Sequence, residues 1–209
     1  MIDHIVFDVG RVLVHWDPER PYRHLIPDPA RRAWFLANVC TPAWNEEQDR
    51  GRTFAEGEAV LIAKFPEEAD LIRAYRKNWH EMVPHTLPET PDILSALVAA
   101  GHDVTLLTNF NQDTFAEAKR RFPVLTQPRG ATVSGEVGLI KPDPKIYAHH
   151  TETFALNPSR TFFVDDTKAN ITAAQAAGWD AVLYTDPATF RADLRARHID
   201  FETKPAAGA

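Results

Sequence analysis

Cysteine is almost missing from the chain. Cys40 stands alone in 209 residues, which excludes an internal disulfide and argues against a zinc cage built on thiolates. Its expected place is that of a small buried apolar residue. Long apolar runs are missing too: no stretch approaches the ~20 apolar residues that cross a bilayer, and no basic segment at the N-terminus leads into one. A soluble, cytoplasmic protein with no membrane partner is therefore expected. Nor is there a basic surplus. With 23 Lys and Arg against 29 Asp and Glu the net charge is −6, which sets nucleic acid aside as a partner, whereas a bound cation would offset the acid locally. No internal repeat is visible. A 44% hydrophobic fraction suits one globular domain with an insertion, or two small ones.

What is present is a set of short apolar runs that end in polar residues. His4-Ile5-Val6-Phe7 leads into Asp8-Val9-Gly10, and His102-Asp103-Val104-Thr105-Leu106-Leu107 into Thr108-Asn109. Gly138-Leu139-Ile140 leads into Lys141-Pro142, and Thr161-Phe162-Phe163-Val164 into Asp165-Asp166. Apolar, β-branched runs of this length read as buried parallel strands. Ligands of open α/β sheets bind at the carboxyl ends of such strands. A short strand near 131–133 and a last one over Ala181–Tyr184 are also expected. Helices are expected from Thr90-Pro91 to a Gly101 stop, over 112–121, from the Asp143 cap, from Lys168 to Gly178, and over 188–197. This alternation predicts an α/β fold, a Rossmann-like doubly wound parallel sheet in three layers, with the first strand central.

Between His15 and Pro88 the pattern changes. Apolar residues recur at helical spacing, and four of the five tryptophans fall here. Asp17-Pro18 reads as the start of a helix, and Leu25-Ile26, Ala33–Leu36 and Leu61–Phe65 as apolar faces of short ones. Thr53-Phe54-Ala55-Glu56 has the spacing of a capping box, and Leu71 to Val83 that of one longer helix. We expect a small inserted all-α cap domain, 15–88, over a catalytic core formed by 1–14 and 89–209. Leaving just after the first strand, the insertion must sit over the crevice as a lid. The tail from Lys204 is expected to be disordered, and the pair His149-His150 to lie on a solvated helix face.

Carboxylates that converge in a crevice must be protonated, paired or bridged by a cation. Asp8, Asp165 and Asp166 with the Gly10 carbonyl suit Mg²⁺, which takes one or two carboxylates together with waters and substrate phosphate. Phosphoryl transfer fits this set. Asp8 would attack phosphorus, Mg²⁺ and Lys141 would neutralise the phosphate oxygens, and Thr108 with the amides after Asn109 would hold the remainder. Asn170, in the first turn of its helix, would orient Lys141 or the metal waters.

These residues together resemble the haloacid dehalogenase superfamily. The resemblance rests on Phe7-Asp8-Val9-Gly10-Arg11-Val12-Leu13, Leu107-Thr108-Asn109, Lys141-Pro142 and Val164-Asp165-Asp166 with Asn170, and it covers about 1–14 and 90–185. It implies a Mg²⁺-dependent phosphatase acting on a small-molecule phosphate ester as a monomer or homodimer. Gly10 departs from the commonest pattern, which carries a second Asp there as general acid and base. The chain is similar in this to bacterial sugar-phosphate phosphatases, including those acting on α-D-glucose 1-phosphate. Two other readings stay open: a hydrolytic 2-haloacid dehalogenase using the same Asp without metal, and a binding module that kept the fold. Substrate choice is expected to lie with polar and aromatic cap residues, namely Trp16, Asp17, Trp44 and Arg50, with His15, Asn45, Gln48 and Asp49 beside them.

Overall fold

In the computed structural model, which describes residues 1–201, five parallel strands form one sheet in the order β3-β2-β1-β4-β5. The strands are β1 (His4–Phe7), β2 (Asp103–Thr108), β3 (Gly130–Val133), β4 (Thr161–Asp165) and β5 (Asp180–Leu183). The central strand is therefore the first in sequence, with His4 in register with Asp103 on one side and Thr161 on the other.

Side chains alternate across the sheet, as the pleat requires. Ile5, Phe7, Leu106, Phe162 and Val164 pack into one apolar layer, and Val6, Leu107 and Phe163 into another. The first layer is closed by α7 (Thr90–Ala99), α8 (Gln112–Arg121) and α12 (Pro187–Ala196), through Ile93, Leu94, Phe115 and Phe190. The second is closed by α10 (Pro144–Phe154) and α11 (Lys168–Ala176), through Ile146, Tyr147, Ile171 and Ala174. Each fully buried aromatic such as Phe7 contributes about 2–3 kcal/mol of transfer free energy. This is the doubly wound, three-layer arrangement expected from the sequence.

Between β1 and α7 the chain is helical, with α1 (Tyr22–Leu25), α2 (Pro29–Asn38), α3 (Pro42–Asp49), α4 (Phe54–Lys64), α5 (Ala69–Lys77) and α6 (Trp79–Met82). α4 starts in the expected capping box, with Thr53 and Glu56 each bonded to the other's backbone amide. Outgoing and returning linkers lie side by side. Val14 bridges Thr86, His15 N donates to His85 O at 3.0 Å, and Leu87 N donates to Leu13 O at 2.8 Å.

Several local expectations are corrected. Residues 138–140 form no strand: Gly138 closes the short α9 (Ser134–Val137) in the left-handed region at φ 70°, and a three-residue run is too short to recover a ladder. The edge position is filled by β3. Asp17-Pro18 opens a turn, with Asp17 accepting from the Glu19 amide, and the first helix begins only at Tyr22. The helix expected from Leu71 to Val83 breaks at Asn78, whose φ of −104° and ψ of 19° separate α5 from α6. His150 is fully buried rather than solvated. The tail from Lys204 lies outside the described residues.

Candidate active site

Three polar groups sit where strands end. Thr108 and Asp165 are the last residues of β2 and β4, and Asp8 is the first residue past β1. Because the strands are parallel and in register, all three arrive at the same edge. Asp8 stays tied to the sheet through its amide, which donates to Val164 O at 3.0 Å.

Lys141 is brought to them by a loop fixed from below. Asn109 accepts from the Lys141 amide at 2.8 Å and donates to the Lys141 carbonyl at 3.0 Å. The Lys141–Pro142 peptide is cis. The amine then reaches Asp8 Oδ1 at 2.8 Å, Asp165 Oδ2 at 2.6 Å and the Leu107 carbonyl at 2.9 Å. Asp165, wholly buried, also accepts from both Asn170 Nδ2 (2.9 and 3.0 Å) and the Thr167 amide (2.8 Å). Asp166 is more open, with Thr167 Oγ1 at 3.2 Å and an Arg11 guanidinium at 3.9 Å.

Burial and charge compete here. Desolvation pushes the Asp8 carboxyl up to about 7, helped by Asp165 and opposed by Lys141. Burial alone would lower the Lys141 pKa, but Asp165 and Asp8 outweigh it and hold the amine protonated. Asp166 is raised, first by desolvation and then by Asp165. Ligand oxygens of Asp8, Asp165 and Asp166 lie within 4.8 Å of one another, an all-oxygen set that fits a hard divalent cation. Three carboxyl groups outnumber the one buried ammonium, and such an ion would offset the excess negative charge.

Thr108 Oγ1 is buried without a hydrogen-bond partner. An orphaned hydroxyl at the head of a strand, beside a lysine and an aspartate, is placed to donate to an anionic oxygen. The amides after Asn109 are less free than expected, since Phe110 N donates to Ser134 Oγ at 2.8 Å.

A cleft of about 490 Å³, part of it open to solvent, adjoins this cluster through Gly10 and Asn109 and is walled by the rings of Trp16, Phe54, Trp79 and Phe110 and by two valines. Its polar side chains are Asn45, Asp49, Asn109 and Thr114. Of the cap residues expected at the substrate, Trp16, Asn45 and Asp49 line this cleft; Asp17, Trp44 and Arg50 do not. Asp17 pairs with Arg23 at 2.8 Å. Trp44 is buried inside the cap with Nε1 on the Gly57 carbonyl, and Gln48 is buried beside it, donating to the Trp44 carbonyl. Arg50 points outward to Glu46 at 2.6 Å. His15, whose ring stands 5.2 Å from that of His85, is likewise outside the cleft lining.

Asn111 was overlooked in the sequence. It caps α8 and donates through Nδ2 to the Gln48 carbonyl at 3.1 Å and the Arg52 carbonyl at 3.5 Å, so one side chain joins α8 to the helical segment between β1 and α7. An Asn directly before a helix expected at 112 is the signal that finds it.

An open parallel sheet whose carboxyl edge gathers a buried lysine and an oxygen-donor cluster belongs to the α/β proteins that bind small ligands at that edge. A family model described as haloacid dehalogenase-like hydrolase matches residues 2–178, and the chain belongs to that family. The sesquiterpene phosphatase astK of Aspergillus oryzae is 29% identical over 91% of this chain and 93% of its own. (S)-2-haloacid dehalogenase 1 of Pseudomonas sp. (strain CBS-3) is 30% identical over 56% of this chain; the chain spans half the length of that relative. Among solved structures, a haloacid dehalogenase family enzyme of Bacteroides thetaiotaomicron, in complex with magnesium and inorganic phosphate, shares the fold with a TM-score of 0.73 at 22% identity. That match covers 91% of this chain and 99% of the other.

Proposed function

We propose that the protein is a Mg²⁺-dependent phosphatase that hydrolyses small phosphomonoesters through an aspartyl-phosphate on Asp8. The observation that carries this reading is Lys141, held between Asp8 and Asp165, next to the unpartnered Thr108 hydroxyl. An Asp8 oxygen forms the bond to phosphorus while the ester P–O bond breaks and its electron pair leaves with the alcohol. Water then cleaves the aspartyl-phosphate, releasing inorganic phosphate and restoring Asp8. Lys141 and Thr108 hold phosphate oxygens, and Asn170 and Asn109 keep Asp165 and Lys141 in place. Mg²⁺, bound by Asp8, Asp165, Asp166 and the Gly10 carbonyl, would neutralise charge on the transferring group. The division into a catalytic core, 1–14 and 89–209, and a cap, 15–88, belongs to the same reading.

The finer question is the alcohol. The Gly10 pattern points to sugar phosphates, but the cleft supports an apolar alcohol better. Four rings and two valines wall it, and each polar side chain there already has a protein partner: Asn45 with Asp49, Asn109 with Lys141, Thr114 with the Asn111 carbonyl. A polyhydroxylated sugar would find few free groups in such a wall. Likeness to a protein named as a sesquiterpene phosphatase along most of the chain points the same way.

A dehalogenase reading has the Pseudomonas relative in its favour. A dehalogenase needs no metal, however, and gains nothing from Asp166 joining the other two carboxylates. The deciding assay follows phosphate release from p-nitrophenyl phosphate, sugar phosphates and alkyl or prenyl phosphates, with Mg²⁺ or EDTA, in wild type and Asp8→Asn. Metal-dependent release that vanishes in Asp8→Asn is expected, with the apolar esters turned over best. Chloride release from 2-chloropropionate, with no phosphate from any ester, would overturn the reading.

A further inference from the structure

Cleaving an ester of an ordinary alcohol calls for a proton on the departing oxygen, and the water that opens the aspartyl-phosphate must lose one. Asp8 is the nucleophile. Lys141 already contacts three oxygens and is held protonated, so it neither gives nor takes that proton. Position 10, two residues past the nucleophile, is glycine, and a Cβ built there would meet nothing within 4 Å. That wall of the cleft therefore contributes space and no proton.

The proposed cap lines the same cleft. Asp49 is the last residue of α3 and is the one titratable side chain among the residues lining this cleft. Asn45, one turn earlier, donates Nδ2 to Asp49 Oδ2 at 2.9 Å and fixes the carboxyl. The loop that follows is clamped to the core: Asn111 holds the carbonyls of Gln48 and Arg52. Gly51, at φ 110°, passes so close to the core that a Cβ there would lie 3.1 Å from the Gly135 carbonyl. Asp49 is thus mounted on the cap yet positioned by the core.

We propose that Asp49 is the general acid and base of this site, protonating the leaving oxygen as the P–O bond breaks and then accepting a proton from the attacking water. The proposal rests on the phosphatase reading above. Burial pushes the Asp49 carboxyl up to about 7, with the backbone N–H of Asn111, the residue that caps α8, opposing the rise and Glu46 of its own helix adding repulsion. Tyr75 of α5 also faces it and stays un-ionised. A carboxyl poised near neutrality serves both half-reactions, since it is protonated for one and ionised for the next.

Leaving-group dependence separates this role from a structural one. kcat/KM would be measured for p-nitrophenyl phosphate, whose leaving group needs no proton, and for a primary alkyl phosphate, in wild type, Asp49→Asn and Asp49→Glu. Asp49→Asn is expected to lose about 10²–10⁴-fold on the alkyl ester and less than tenfold on the aryl ester. The fall of alkyl kcat/KM above neutral pH should vanish with it. Asp49→Glu should recover part of the loss, and Gly10→Asp placed in the Asp49→Asn background should restore alkyl turnover through the open space at position 10. Equal losses on both esters, or an unchanged pH profile, would overturn the role of Asp49 while leaving the phosphatase reading intact. A wild type inactive on every ester would overturn both.

Discussion

Lys141 shows how much one side chain can hold apart. Its amine separates Asp8 from Asp165 at 2.8 and 2.6 Å, with the lysine only 3% exposed. Removing one partner of a buried ion pair costs about 3–5 kcal/mol, because the partner charges stay behind. Lys141→Met is expected to lose stability on that scale in urea unfolding with EDTA, and part of it should return with Mg²⁺. Thr108 makes the opposite case. Its orphaned hydroxyl costs the fold more than it contributes, so Thr108→Val should leave stability unchanged or slightly higher. Its kcat/KM should nevertheless fall about 10–100-fold, as for a lost hydrogen bond of ~1.5–3 kcal/mol to a charged group. Asp8, Thr108, Lys141 and Asp165 were legible in the sequence because each follows or ends an apolar run. The cap residues were not. Asn45 and Asp49 share one stripe of α3 and face the cleft, Trp44 and Gln48 share the next and face the cap core, and Glu46 points out with Arg50. Composition shows that such a helix is amphipathic, but its rotation is set by tertiary packing, which one sequence does not encode locally.

On α10, His150 is a buried histidine that belongs to structure rather than catalysis. Its Nδ1 lies 2.8 Å from Thr132 Oγ1 and its Nε2 3.0 Å from Thr105 Oγ1, tying the helix to β3 and β2. Burial pushes its pKa down to about 3, against 6.5 for an exposed imidazole. The unfolded chain therefore binds this proton below pH 6.5 while the folded one does not. The stability it confers is complete above about 6.5 and drains away as the pH falls toward 3, with a limiting slope of ~1.4 kcal/mol per pH unit. The buried carboxyls of Asp8 and Asp49, raised to about 7, act in the opposite sense, so the check is the difference between wild type and His150→Gln: it should be largest at pH 7 and shrink toward pH 4 at up to that slope in denaturant unfolding. This element escaped the sequence because a His-His pair in a helix with polar neighbours looks solvated. Burial came from the two threonine hydroxyls that satisfy the ring, on strands far away in sequence. The residues 138–140 misled for the reverse reason: they are apolar enough for a strand, but the left-handed Gly138 turns the chain before one can form.

For the molecule as a whole, metal binding and folding should be linked. A ligand that binds only the folded chain stabilises it by about 2.7 kcal/mol at a hundred times its dissociation constant, which in a domain of this size is a shift of several degrees. Calorimetry should show the melting temperature rising with Mg²⁺ and not with Na⁺ at matched ionic strength, and Asp166→Asn should abolish the rise. The sheet order carries one more consequence, in time rather than space. β1 is made before the other four strands of the sheet, yet its neighbours begin at Asp103 and Thr161. At about 5–20 residues per second, its second partner leaves the ribosome's catalytic centre roughly 8–30 s after β1 itself. Until then the helices between His15 and Pro88 can pack on one another, while Asp8 waits on an unpaired strand. Any nascent fragment that stops short of Asp165 therefore holds Asp8 without the carboxylates and the sheet edge that surround it in the folded chain.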